Sequence, residues 1–145
     1  MAITTNAICN SFKGQIIQGQ HNFTLSTGNK FKLAMYTTAA TLGASTTSFT
    51  TSGQVSSSGY TSGGKALVNS GVKVSGAIAI TNFSNVSFTG VTLSARGALI
   101  YNTSATNKAV CVLDFGGTKT ATAGTFTVQF PAFTTAAAII RIGNA

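Results

Sequence analysis

Three apolar runs decide the fold: Ala95-Arg-Gly-Ala-Leu-Ile-Tyr-Asn102, Lys108-Ala-Val-Cys-Val-Leu-Asp-Phe-Gly-Gly117 and Gly124-Thr-Phe-Thr-Val-Gln-Phe-Pro131. Each run has the length and the β-branched and aromatic content of a strand, and clusters of Asn, Thr, Ser and Gly separate them. The pattern predicts three consecutive antiparallel strands, of which the last ends at the sole proline of the chain.

The first two runs hold Arg96 and Asp114, the latter being the only acidic residue of the chain. A turn near residues 103–107 would place Arg96 roughly opposite Phe115, and so close to Asp114. A carboxylate among apolar neighbours must be paired or hydrogen-bonded. We therefore predict a structural ion pair between Arg96 and Asp114. The alternative is an exposed turn aspartate that precedes two glycines.

The composition indicates one domain that spans residues 1–145, long enough to bury roughly two-thirds of the surface of its unfolded chain without a metal or a disulfide. Charged residues make up 7% of the chain, against about 25% in typical soluble domains, and Ser and Thr are abundant. The surface must therefore be coated with hydroxyls. Because free monomers usually carry more charge, we expect much of this surface to lie against another protein.

The formal net charge of +8 favours an anionic partner. The basic residues form no run, and few aromatic residues alternate with them, so the sequence does not indicate a specific nucleic-acid groove. An acidic protein surface is the expected partner. The bases stand at positions 13, 30, 32, 65, 73, 96, 108, 119 and 141.

Few residues could support catalysis, and we expect no enzyme, no cofactor and no metal site. One carboxylate excludes paired-carboxylate chemistry, and no Gly-x-Ser-x-Gly pattern supplies a serine for His21 and Asp114. His21 is expected to be a surface or capping histidine. Residues 59–65 match most of a phosphate-binding loop, but Ala66 stands where that loop needs Ser or Thr to hold magnesium.

The N-terminal residues lack the basic flank and the apolar core of a signal peptide, and no apolar run reaches the length of a membrane span. We expect synthesis in a cytoplasm and no membrane partner. Thiols stay reduced there. Cys9 and Cys111 are thus expected to be buried thiols rather than a disulfide.

One helix is predicted, over residues 5–18, because Ile8, Phe12 and Ile16 recur at helical spacing. Thr5 or Asn6 could cap its start and Gly19 could end it. The apolar stripe would pack on the sheet. The alternative is an arm that docks on a neighbouring subunit.

Further strands are predicted on both sides of a long irregular segment. That segment, residues 37–64, is rich in Ser, Thr and Gly, and we interpret it as a surface loop that becomes ordered against a partner. The strand at residues 31–36 alternates and should be half-buried. The other predicted strands cover residues 23–25, 66–68, 72–80 and 138–142, with a turn at 69–71 between the second and the third. Residues 83–88 and 91–93 supply one further strand or a pair of strands. Eight or nine strands with polar turns predict an all-β fold, an antiparallel β-sandwich of jelly-roll type over residues 22–145.

Seven segments together make the chain resemble the capsid cement or decoration proteins of tailed bacteriophages, which are small β-rich virion proteins. The segments cover most of the length: Asn10-Ser-Phe-Lys13, Phe31-Lys-Leu-Ala-Met-Tyr36, Gly59-Tyr-Thr-Ser-Gly-Gly64, Ala95-Arg-Gly-Ala-Leu-Ile-Tyr-Asn102, Val112-Leu-Asp-Phe-Gly116, Gly124-Thr-Phe-Thr-Val-Gln-Phe-Pro131 and Ile139-Ile-Arg-Ile142. The chain departs from the family at Gln54, where members tend to carry an acid.

The resemblance implies a structural protein that binds the outer surface of an icosahedral head. Its partners would be the major capsid protein and its own copies, as a homodimer or a trimer. Candidate capsid contacts lie in the predicted helix and around the long loop: Phe12, Lys13, Leu42, Phe49, Tyr60 and Lys65.

Two other hypotheses fit a basic chain that is rich in Ser, Thr and Gly. A tail-associated or receptor-binding fibre module would occur in far fewer copies per virion. A nucleic-acid-binding lining of the capsid would bind DNA with a steep salt dependence.

Overall fold

The computed structural model describes residues 3–143, which form two antiparallel sheets and one short helix. The larger sheet has the strand order β1-β7-β6-β2-β3 and the smaller one the order β4-β5-β8. The predicted all-β antiparallel sandwich with an N-terminal helix is confirmed. The elements are β1 (Ala7–Ile8), α1 (Asn10–Ile17), β2 (Phe31–Tyr36), β3 (Lys65–Ala66), β4 (Asn69–Ser75), β5 (Ile78–Phe83), β6 (Val86–Asn102), β7 (Lys108–Val128) and β8 (Ile140–Ile142).

Strands β6 and β7 form one long hairpin, paired from Val86 opposite Val128 to Asn102 opposite Lys108. The predicted turn at residues 103–107 is confirmed. It consists of a 3-10 turn followed by two residues in the left-handed region. The outer side of β7 pairs with the two residues of β1 and, through an isolated bridge at Lys108, with Ser48, so beyond Val112 no described strand covers that edge.

The second and third apolar runs belong to one strand, so the prediction of two separate strands there is wrong. Gly116 and Ala123 adopt positive φ values of 78° and 46° within β7 and let the strand bend without turning back. Of the one strand or pair predicted over residues 83–88 and 91–93, the structure has the single strand, since residues 86–93 all belong to β6 with a register shift after Phe88, while Phe83 ends β5.

Two smaller predictions are also wrong. The turn that joins β4 to β5 lies at Gly76 and Ala77, whereas Gly71 forms a bulge inside β4. Residues 23–25 form no strand. The side chains of Asn22 and Asn29 accept hydrogen bonds from nearby backbone N–H groups and hold this segment as a turn.

Helix α1 is shorter than predicted because residues 7 and 8 pair with β7 as a strand. No side chain caps its start. Gly19 ends it as predicted, with a φ of 73°, and its N–H donates to the Ile16 carbonyl. Phe12 is buried against the body of the protein, so the stripe packs on the fold as expected.

A cluster of phenylalanines joins the helix and the two sheets. Phe23 stacks on Phe31 of β2 with ring centroids 4.6 Å apart, and Phe12 of α1 meets Phe23 edge-on at 6.0 Å. Phe83 of β5 lies 5.6 Å from Phe31, and Phe130 lies 5.8 Å from Phe83. Such aromatic pairs add about 1 kcal/mol each beyond the area they bury. The cluster therefore fixes the small sheet against β2.

The long loop folds back onto its own sheet, which corrects the expectation that a partner orders it. Tyr36 on β2 donates to the Thr50 carbonyl, and Tyr101 on β6 donates to the Gly63 carbonyl. Tyr60 on the loop accepts from the Met35 N–H. Strand β2 is consequently buried on both faces rather than half-buried.

Gly64 offers a test of this loop packing. Its φ is 82°, and a Cβ there would collide with the Leu33 carbonyl on β2. We expect Gly64→Ala to lower the free energy of unfolding by at least about 2 kcal/mol. The measurement is urea unfolding. Gly14→Ala in α1 is the matched control, because a Cβ at this position would have no atom within 4 Å. This substitution should raise the free energy of unfolding by about 0.5–1 kcal/mol, since alanine favours a helix over glycine. Equal effects at the two glycines would contradict the described loop.

Candidate interaction surface

Arg96 and Asp114 form the predicted ion pair. The guanidinium Nη1 contacts Oδ1 of Asp114, and the side chains are 18% and 14% exposed. The same oxygen accepts from the Gly116 N–H, while the Asp114 N–H donates to Asn6. The hydrogen bond from Arg96 holds the pKa of Asp114 below its ordinary value, helped by the Gly116 N–H. The only acid of the chain is therefore neutralised locally.

His21 is buried, which corrects its prediction as a surface or capping residue. Its Nδ1 accepts from Asn102 Nδ2 at 3.0 Å, so its Nε2 carries the proton and donates to Gln15 at 2.8 Å. Asn102 also donates to Asn29. Burial, together with the nearby Lys108, lowers the pKa of His21 to about 4. This neutral imidazole ties α1 to the tip of the long hairpin.

Both cysteines are free and buried, as predicted. Burial raises the pKa of Cys9 to about 11 and that of Cys111 further. The thiolate is the reactive form of cysteine. The two thiols therefore stay protonated at neutral pH and act as small apolar groups in the core.

Four of the six predicted capsid contacts face their own protein. Phe12 and Leu42 lie in the core, so their prediction as contact residues is wrong. Phe49 stacks on Tyr101 with ring centroids 4.6 Å apart, and Tyr60 stacks on Phe88 at 5.7 Å. An apolar residue in a Ser/Thr-rich loop signals an anchor to the core as readily as a contact with a partner.

The other two predicted contacts, Lys13 and Lys65, are exposed. Lys13 Nζ donates to Asn10 Oδ1 at 3.3 Å within the first turn of α1. Lys65 Nζ donates to the Ser87 carbonyl at 2.5 Å and thus crosses to the long hairpin. Neither meets a carboxylate, because Asp114 is already paired with Arg96. Both remain available to an anionic partner.

One face of the long hairpin carries a series of paired hydroxyls. Ser87 lies 2.9 Å from Thr127, and Ser94 lies 2.9 Å from Thr120, oxygen to oxygen. All four side chains are exposed or half-buried. These hydroxyls can donate and accept hydrogen bonds at two places along the hairpin.

The small sheet presents an apolar surface that sequence reasoning missed. Val72, Val74 and Ile142 are 58%, 69% and 55% exposed. In β4 and β8 they alternate with Lys73 and Arg141. That alternation signals a sheet with two unlike faces, but it does not tell which face the rest of the chain covers.

The comparisons with known proteins give no relative. No protein-family model, curated protein or solved structure matches the chain. Within residues 3–143, no group of three or more His, Cys, Asp or Glu side chains could hold a metal ion. Over the same residues, the helix is too short to cross a membrane.

The ion pair can be tested with Asp114→Asn, which keeps an acceptor for the Gly116 N–H and removes the charge. We expect the free energy of unfolding at neutral pH to fall by about 1 kcal/mol. The pKa of Asp114 is lower in the folded state than its ordinary value of 3.8. The pair therefore stabilises the fold fully at pH values well above 3.8, and this stabilisation is lost as the pH falls through the pKa of the folded state. A double-mutant cycle with Arg96→Gln isolates the pair, and an unchanged melting temperature for Asp114→Asn would contradict it.

His21 should govern the pH dependence of stability between pH 4 and 6.5. The unfolded imidazole binds a proton below its ordinary pKa of 6.5, whereas the folded one binds it only below about 4. Stability is therefore full above 6.5 and falls by about 3 kcal/mol in total as the pH drops through this window. Urea unfolding at several pH values measures the slope. The pH dependence of stability should disappear in His21→Gln. If it persists in this variant, a group other than His21 causes it.

Proposed function

We propose that the chain is a structural virion protein of a tailed bacteriophage, a capsid cement or decoration protein that binds the outer surface of the icosahedral head. It would bridge major capsid subunits and neighbouring copies of itself. It would be synthesised in the cytoplasm of the bacterial host and would join the shell after assembly. The class of protein is proposed from the segments that resemble this family. The charge and the hydroxyl groups of the surface support the proposal.

The observation that carries the proposal is the sign of the free charge. The chain has nine basic residues and one acid, and that acid is held by Arg96. The side-chain charge left for a partner is therefore positive alone. A positive surface is attracted to an acidic shell exterior, and this attraction speeds encounter and orients binding.

The hydroxyl face of the long hairpin supports attachment by many shallow contacts. Neutral hydroxyl pairs such as Ser87 with Thr127 bind weakly one at a time. On a symmetric shell every copy makes the same contacts, so a bridging protein gains affinity from multivalency. Many sites of the same kind suit this surface better than one site of high affinity.

The remaining reactive groups have structural roles, which favours a binding protein over an enzyme. His21 is neutral within a buried hydrogen-bond network, and Cys9 and Cys111 are protonated in the core. Asp114 fixes the hairpin. Each of these groups thus stabilises the fold.

Binding to phage heads tests the proposal. We expect purified protein to bind heads that were assembled without it. The number of copies bound per head should be comparable to the number of equivalent sites that the major capsid protein forms by symmetry. Rising salt should weaken the binding, because the attraction is electrostatic. Copies per particle are counted by quantitative mass spectrometry. A handful of copies at the tail would favour a tail-associated or receptor-binding module instead, and retention on DNA in place of heads would favour a capsid lining.

A further inference from the structure

The outer edge of β7 is open after the bend at Ala123. Strand β6 is the only described strand that pairs with residues 124–128, and no backbone hydrogen bond joins that stretch to a described loop. In an antiparallel strand, the N–H and C=O groups of every second residue point to the same side. The groups that point away from β6 therefore have no backbone partner among residues 3–143.

This stretch of edge carries none of the features that usually protect an open strand. Natural edge strands are shielded by charged side chains, prolines or bulges. Residues 125–129 read Thr-Phe-Thr-Val-Gln, without a charge or a proline, and none of them has a positive φ. Pro131 and the positive φ values of Gly116 and Ala123 lie outside the stretch. It is therefore a regular strand edge that can pair with a further strand.

A hollow of about 530 Å³ follows the same edge. It is lined by Phe115, Lys119 and residues 125–129, all of them on β7 or directly after it. Neighbouring side chains of a strand point to opposite faces of the sheet. Because five consecutive residues border the hollow, it lies along the edge of the strand rather than on one face. No described residue of β6 lines it, so it lies on the outer side.

The hollow continues between β7 and the segment before β8. This second part, of about 430 Å³, shares Phe115, Val128 and Gln129 with the first, and we call the two parts together the edge groove. Apolar walls beside an open strand edge offer pockets to alternate side chains of an added strand. The apolar residues that line the second part include Ile8, Val112, Leu113, Phe130, Ala138 and Ile139.

Strand β7 curves around the edge groove. Phe115 and Phe126 are eleven positions apart, which is about 36 Å in an extended strand. Their ring centroids lie only 5.8 Å apart, and both residues line the hollow, so the groove is on the inside of the curve. A two-fold dimer brings identical surfaces together. Two concave edges leave a gap between them, whereas a single extended segment fits inside the curve.

The unpaired charge of the edge groove is positive. Lys119 lines the hollow, and Arg141 lines a recess that continues the groove past Ile8. The acid beside the groove, Asp114, is bound by Arg96. The chain has no other acidic side chain, so a second copy offers no free side-chain carboxylate to Lys119. The shape and the charge therefore both favour an acidic segment of a different protein over a second copy.

We infer that the open edge of β7 at residues 125–129, with the edge groove, takes up an extended acidic segment of another protein as an added strand. The segment pairs its backbone with β7, inserts alternate apolar side chains into the groove and places a carboxylate near Lys119. This inference rests on the proposed function in naming the donor of the segment, which is a shell subunit of the phage head. It goes further in assigning the site and the mode of attachment.

Blocking the groove tests the site. Ala137 is exposed and lines the groove, whereas its neighbour Ala136 is exposed and does not line it. We expect Ala137→Phe to weaken binding to phage heads that lack the protein by about tenfold or more, because the new ring fills the pockets of the added strand. Ala136→Phe is the matched control and should bind like the wild type. Both variants should keep the melting temperature of the wild type, since both positions are exposed.

The charge requirement is tested by Lys119→Glu. The control is Lys30→Glu, an equal change of charge beside the tip of the long hairpin, where the Lys30 carbonyl accepts from the Thr103 N–H. Lys119→Glu should weaken binding by about threefold or more beyond the control, since it turns an attraction into a repulsion. Rising salt should reduce the difference.

Backbone hydrogen exchange tests the pairing itself. In wild-type protein bound to heads, the amides of residues 125–129 that point away from β6 should exchange about tenfold or more slowly than in the free protein, because they then donate to the added strand. The amides that pair β2 with β6 are the internal control and should keep their exchange rates.

Each contrary outcome overturns a stated part. Wild-type protein that fails to bind heads overturns the proposed function and the named donor together. Heads that bind the wild type and Ala137→Phe equally, or that bind without slowing exchange at residues 125–129, overturn the edge site alone. A dimer in sedimentation equilibrium that Ala137→Phe abolishes would assign the edge to a second copy instead.

Discussion

The pairing of β6 with β7 is the constraint on which the rest of the structure depends. The two strands, Val86–Asn102 and Lys108–Val128, hold each other over most of their length, and every other part of the large sheet is added to their sides. Strand β2 pairs with the inner half of β6, and the long loop then covers β2 through the tyrosine hydroxyls. Because this hairpin is local in sequence, its closure costs little chain entropy.

The parts of the fold that could be predicted are those in which a short stretch of sequence decides the outcome. Apolar runs rich in β-branched residues gave the strands of the hairpin, and the polar cluster after Asn102 gave its turn. The contact of Arg96 with Asp114 follows from that turn, because Gly97 pairs with Asp114 and this puts Arg96 next to the acid in the predicted register.

The parts that failed depend on contacts distant in sequence. The turn predicted at Gly71 and the breaks predicted after residues 88 and 117 are bulges or bends inside β4, β6 and β7, held by the neighbouring strands. The two residues before α1 pair with a strand a hundred positions away, which no local pattern reports. Leu42 and Phe12 are apolar in either role, as core or as contact, and only the packed structure assigns them to the core. The exposed apolar face of the small sheet escapes prediction, because the alternation along a strand does not tell which face the rest of the chain covers.

The sequestered imidazole and the paired carboxylate have a consequence for how the molecule responds to its surroundings. With the pKa of His21 lowered to about 4, that of Asp114 held below its ordinary value and those of the tyrosines raised, each of these groups keeps one charge state over the range in which most proteins change charge. These groups therefore leave the charge of the folded protein unchanged between mildly acidic and mildly alkaline conditions, and its response to acid is a loss of fold stability at His21 rather than a change of surface charge.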